Sequence, residues 1–167
     1  MNFRTARIAR IARTVAASFG LVALLGSATL VTGCASTARL DTPAGFATLE
    51  SNDDFAYRAS SAKGVVLATR TEKNELKANT EFWTESIDQK LVHAGYIKKS
   101  EKTVQARGLE GKQLRYSVDR GGREHCYWVT VFLKGDRVVL VEAAGDAQPF
   151  AKAEPDVERA IGSLRID

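Results

Sequence analysis

The spacing of apolar positions changes repeatedly along this chain, and each spacing predicts a different element. Behind Arg4, Arg7, Arg10 and Arg13, no charged residue interrupts the stretch from Thr14 to Leu30. Further on, Phe46 to Leu49 and Phe55 to Ser60 flank the turn-forming Ser51-Asn52-Asp53-Asp54, which predicts two short strands. Lys63-Gly64 turns the chain into the strand-forming run Val65-Val66-Leu67-Ala68-Thr69. The period then lengthens: Trp83, Ile87 and Leu91 recur every fourth residue, as on one face of a helix. Asn79 or Thr80 can cap that helix, Glu81 and Glu85 suit its start, Lys90 its end, and Gly95 its stop.

Alternation returns with Leu114, Tyr116 and Val118. In the run His125 to Leu133, one face carries Tyr127, Val129, Val131 and Leu133, and the other Cys126, Trp128, Thr130 and Phe132. Both faces are mostly apolar, which predicts a central strand covered on both sides. Gly135-Asp136 is a two-residue hairpin turn into Arg137 to Ala143. Pro155 is read as opening a last helix, with Val157, Ala160, Ile161 and Leu164 at i, i+3, i+4 and i+7. The expected fold is α+β, an antiparallel β-sheet with helices packed on it.

The apolar run near the start belongs to a different kind of signal. It ends in small residues and Val31-Thr32-Gly33-Cys34, the layout of a secretory leader rather than of a folded element. The tetrapeptide resembles a bacterial lipobox. That resemblance implies cleavage between Gly33 and Cys34, with Cys34 as the lipid-bearing first residue of the mature chain. A cysteine suits the role because its thiolate is a strong nucleophile near neutral pH and can take a diacylglycerol group as a thioether. Each buried acyl methylene contributes about 0.8 kcal/mol, and one chain holds only reversibly. The two or three palmitate-type chains implied here would hold permanently. The competing reading is an uncleaved membrane span, but 17 residues lie at the short limit of roughly 17–25. Ala35 in place of an aspartate resembles the enterobacterial sorting signal for the outer membrane, facing the periplasm.

Cleavage changes the charge argument. The whole chain has 24 basic and 20 acidic residues, a net +4, and the four excess arginines all lie in the leader. The remaining 134 residues (167 minus 33) are neutral, so the high isoelectric point is no nucleic-acid signature. Lys98, Lys99 and Lys102 are the local basic cluster of this part and are read as a solvated turn. The expected organisation is a leader over 1–33, a lipidated tether over 34–41 and one domain over 42–167. With Cys34 consumed by lipid, Cys126 has no partner, so packing alone must hold the fold.

Candidate chemistry is sparse. His125 and Cys126 are adjacent on a strand and point to opposite faces, so they cannot pair as base and nucleophile. Cys126 is read as a structural cysteine, and His93 as a helix-end residue favoured by the dipole. Two histidines without metal-ligand spacing give no metal site and no expected cofactor. Trp83 and Trp128 are expected in the core. The charged segment Glu72 to Lys77 is a connector or a docking loop. Arg120 and Arg123 flank Gly121-Gly122 and could hold a carboxylate or phosphate group, or simply sit at a solvated tip. No phosphate-binding loop, dinucleotide-binding glycine pattern or serine elbow is present.

The order of elements resembles the PsbP-like superfamily, the family of the photosystem II extrinsic protein PsbP and the Ran-binding Mog protein. The matching stretches are Thr42-Pro43-Ala44-Gly45-Phe46, Phe82-Trp83 through Gly95-Tyr96, Val104 to Gly145, and Ala160 to Ile166. The resemblance implies an α/β/α sandwich acting as a binding or assembly factor. It supplies no catalytic motif to place on these positions. The functional expectation is a non-catalytic envelope lipoprotein anchored to the bilayer through acylated Cys34, with an envelope protein as partner and no nucleic acid. The alternatives are a small-molecule or metal carrier, or a hydrolase.

Overall fold

In the computed structural model, residues 38–50 and 54–167 are described. Gly33, Cys34, the apolar run before them and the Ser51-Asn52-Asp53 turn lie outside the described residues. The described chain runs β1 (Ala38–Arg39), β2 (Phe46–Thr48), β3 (Tyr57–Ser61), β4 (Val66–Lys73), α1 (Thr80–His93), β5 (Ile97–Ala106), β6 (Leu109–Asp119), β7 (Glu124–Lys134), β8 (Arg137–Asp146), α2 (Ala147–Gly162) and β9 (Arg165–Ile166). Seven strands form one antiparallel sheet in the order β2-β3-β4-β8-β7-β6-β5, and β1 pairs with β9 in a separate ribbon. The helices pack on the sheet, so the expected α+β architecture is present.

The β7 strand is central, and its two faces divide as the alternation predicts. Trp128 and Phe132 join Leu67, Val139, Val141, Phe150, Val157 and Ile161 in the larger core under α2. Val129 joins Leu114 and Tyr116 in a smaller core, against which Ile87 and Leu91 of α1 pack. The caps are also as expected: the Asn79 side chain accepts from the Phe82 amide, and Gly95 ends the helix at φ +89°.

Three expectations need correction. The lysine cluster is not a turn: Lys98, Lys99 and Lys102 lie on β5, an edge strand. They meet Asp88 and Glu101, Glu124, and Glu158 respectively. Charge on an edge strand discourages pairing with another chain, so a turn-like composition here marks an edge. Second, α2 starts at Ala147, and Pro155 lies inside it. Pro149 is the proline of the first turn, where the missing N–H costs nothing. Third, the segment assigned to the tether is partly built into the domain. Ala38 and Leu40 are buried, and β1 is zipped to β9 at Ala38↔Ile166 and Arg39↔Arg165.

Candidate functional site

The sheet is covered unevenly, and that creates the site. Helix α1 packs on β5, β6 and β7, and α2 packs on β5, β7 and β8. By strand parity the α1 face of β4 and β8 carries Val66, Ala68, Arg70, Leu140, Glu142 and Ala144. Val66 is 40% exposed there, although it sits mid-sheet. Where α1 ends, Tyr96 leans over the sheet and closes one side of a cavity of about 250 Å³. Val66, Val118, Ala144 and Tyr127 supply its apolar wall, and Arg120 and His125 its charged and titratable groups.

Beside that cavity lies a polar group sunk into the sheet. Glu142 accepts from Arg70 Nη2 at 2.7 Å and from the Tyr127 hydroxyl at 2.5 Å. Burial alone would lower the Arg70 pKa, but the Glu142 charge and hydrogen bond outweigh it and hold it above the ordinary value. Burial, then the Glu142 carboxylate, push the Tyr127 hydroxyl well above its usual range. Arg70 and Arg58 both lie over the ring of Phe55, at 5.7 and 5.4 Å from its centroid. The Tyr96 ring rests against Tyr127 at 5.5 Å and Tyr116 at 6.4 Å. The outcome is an aromatic floor with a fixed charge pair beneath it.

The residues singled out in the sequence are brought partly together. Arg120 lines the cavity and donates to the Tyr96 hydroxyl at 3.1 Å. Arg123 instead reaches Asp146 at 3.4 Å and does not line the cavity. The two arginines of the hairpin tip are therefore committed to different partners. His125 Nδ1 lies 2.7 Å from Asp146 Oδ1. Both atoms are shielded from water and neither makes a hydrogen bond, so this is a close approach of ring and carboxylate rather than an aligned bond. Cys126 faces the α2-side core, away from His125. Burial, then Glu124 and Glu154, push its thiol up, which leaves it protonated rather than nucleophilic. Trp128 is in the core, and Arg115 lies 3.6 Å from its ring centroid.

Trp83 departs from its expected place. It is only half-buried, and its indole N–H donates to Asn74 Oδ1 at 3.2 Å. Asn74 organises the whole connector before α1. It accepts from the Ala78 amide, donates to the Ala78 carbonyl, and is itself buried. Composition alone gives a lone asparagine among charges no such role. Arg70, Glu142 and Tyr127 carried no sequence signal as a site either, because they come from separate strands and meet only through the sheet register, and Tyr96 reaches them from the connection between α1 and β5. Among the described residues, no group of His, Cys, Asp and Glu could hold a metal ion, and no helix is long and apolar enough to cross a membrane.

No protein-family model and no curated protein matches the chain. Its fold is found among solved structures. The chain is similar to LpqN of Mycobacterium tuberculosis, described as involved in cell envelope biogenesis, with TM-score 0.61 and 12% identity over 78% of this chain and 83% of that one. It is also similar to PsbP of the cyanobacterium Synechocystis, with TM-score 0.54 and 10% identity over 86% of this chain and 99% of that one. At such identities the likeness shows a PsbP-like fold and nothing of activity.

Proposed function

We propose that this protein is an envelope lipoprotein, held in the outer membrane by acylated Cys34, whose domain is a non-catalytic module that binds an envelope protein. The cavity between Tyr96 and the sheet carries this reading. Drug-sized ligands occupy pockets of roughly 300–1,000 Å³, and a space of about 250 Å³ suits one anchoring side chain of a larger partner. Toward the end of α1 and just beyond it, Val92 and Ile97 are exposed apolar side chains, at 53 and 61%. Arg120 at the cavity offers a cation to an acidic group on the partner. The described envelope role of LpqN, a neighbour in fold, agrees with the location that the lipobox implies.

A photo-crosslinking residue at Val66, in the lipidated protein in its own bacterium, tests this. One dominant captured protein is expected from Val66 and none from the same probe at Lys152 on the exposed side of α2. Cys34→Ala should lose the anchor, and Arg120→Ala should weaken capture. Equal capture from Val66 and Lys152 would remove the cavity from the proposal. The His125–Asp146 contact gives the hydrolase reading its one foothold, since it orients a ring at the cavity. That reading lacks an activated nucleophile: no serine or threonine lines the cavity, and Cys126, which borders it, packs against the α2-side core with its thiol pushed up by burial.

A further inference from the structure

The β1–β9 ribbon sets two arginines side by side. Arg39 and Arg165 are directly opposed in register, so their side chains leave the same face of the ribbon. Like charges in that position repel. Asp41 pairs with Arg165 at 2.5 Å and with Arg107 at 3.9 Å. Arg39 has no ion pair among the described residues. Arg107, Lys134 and Arg165 line one open cavity of about 440 Å³, together with Leu109, Ile166 and Asp167. Lys134 donates to the Ile166 carbonyl, and Arg107 to the Ser163 carbonyl at 3.2 Å. Arg107 also sits at φ +49° in the two-residue turn between β5 and β6. Asparagine or glycine would adopt that backbone more readily. Four basic residues thus converge against two carboxylates, Asp41 and Asp167.

Chain connectivity says what faces this patch. Cys34 precedes Ala38 by four residues, and Ala38 is fixed in the ribbon. Four residues reach at most about 14 Å at about 3.3–3.6 Å each, so a lipid on Cys34 brings the ribbon down to the headgroups. Resting on the lipid-anchor reading above, we infer that Arg39, Arg107, Lys134 and Arg165 form a seat for anionic phospholipid headgroups of the anchoring leaflet. The seat fixes the domain's orientation. Lys134 and His125 lie nine residues apart on β7, about 30 Å along a strand. The partner cavity therefore faces away from the bilayer, toward the periplasm, and the anchored domain does not swivel freely.

The test uses the lipidated protein purified from bacterial membranes and reconstituted in vesicles of phosphatidylcholine, alone or mixed equally with phosphatidylglycerol. Hydrogen exchange is followed by mass spectrometry, and intact mass reports the acylation. Protection of 106–109 and 165–167 is expected only in the mixed vesicles, with the 119–123 tip unchanged. Each basic residue removed should lower that protection about fivefold, so Arg39→Ser with Arg165→Ser nearly abolishes it, and the lysine pair at both positions restores it. Equal exchange in the two vesicle types on acylated protein overturns the seat and leaves the anchor standing. A mass without lipid overturns the anchor and the seat with it.

Discussion

The Thr69 hydroxyl donates to the Ala38 carbonyl at 2.5 Å, joining the centre of the sheet to a residue 31 positions earlier. Thr69 is fully buried and so is Ala38. The bond converts what reads as a tether into part of the folded domain. Thr69→Val keeps the shape and removes the donor, leaving a buried carbonyl short of a partner. A loss of about 1–3 kcal/mol is expected, measured as the shift of the urea midpoint. An unchanged midpoint would mean that residues 38–40 only drape over the sheet.

Alkaline pH should destabilise the domain through its tyrosines. Tyr116 and Tyr127 are pushed up by burial and then by hydrogen bonds to Asp88 and Glu142, and Tyr57 is pushed up by burial. In the unfolded chain each loses its proton around pH 10.0, whereas the folded protein retains it. The unfolded state then binds fewer protons, so this stability is complete below pH 10.0 and is lost as pH rises beyond it, by up to about 1.4 kcal/mol per pH unit for each group. The Lys98 and Lys112 pairs with Glu101 carry the same sign but are screened by solvent. Urea midpoints across this range should fall, and Tyr127→Phe should flatten the fall. A variant slope equal to that of the parent protein would exclude Tyr127 as a contributor.

Most of the fold was legible because its elements obey simple periods. The Ile87 and Leu91 face of α1, the two-faced β7 strand and the Gly135-Asp136 hairpin all stand where local pattern puts them. The β5 strand was not legible, since an edge strand buries little and its lysines imitate a turn. Of the candidate site, only Arg120 and the adjacent His125 and Cys126 drew notice in the sequence. Glu142 and Arg70 are 72 positions apart, and nothing local marks a carboxylate that register alone will pair. The α1 stripe also overstated its burial: only Thr84 of that helix is fully buried, and its threonine hydroxyl is satisfied within the helix.

Gly111 should not tolerate a side chain. A Cβ there would stand 2.4 Å from the Phe132 ring and 2.9 Å from the Val131 carbonyl oxygen. Phe132 is fully buried and cannot move without opening the α2-side core. Gly111→Ala should cost about 1–3 kcal/mol, the usual range for overpacking, seen as a lower melting temperature. Adding Phe132→Leu should recover part of the loss, because it removes the atoms in conflict. Failure of that rescue would place the strain in the backbone between β6 and β7.

Pro155 decides where α2 begins. If the helix opened at this residue, proline would be favoured there and its replacement would destabilise. In the structure it follows eight helical residues, from Ala147 to Glu154, so its missing N–H leaves the Ala151 carbonyl without its helical donor. Both Ala151 and Pro155 are exposed, which lets water satisfy that carbonyl and limits the penalty. An interior proline costs about 3 kcal/mol against alanine, whereas losing proline's restraint on the unfolded chain costs up to about 1 kcal/mol. Pro155→Ala should therefore stabilise the domain by about 1–2 kcal/mol, read from urea midpoints and accompanied by slower amide exchange over 151–155. A loss of stability would restore the shorter helix and remove Phe150, now packed against Trp128 at 4.9 Å between ring centroids, from a helical setting.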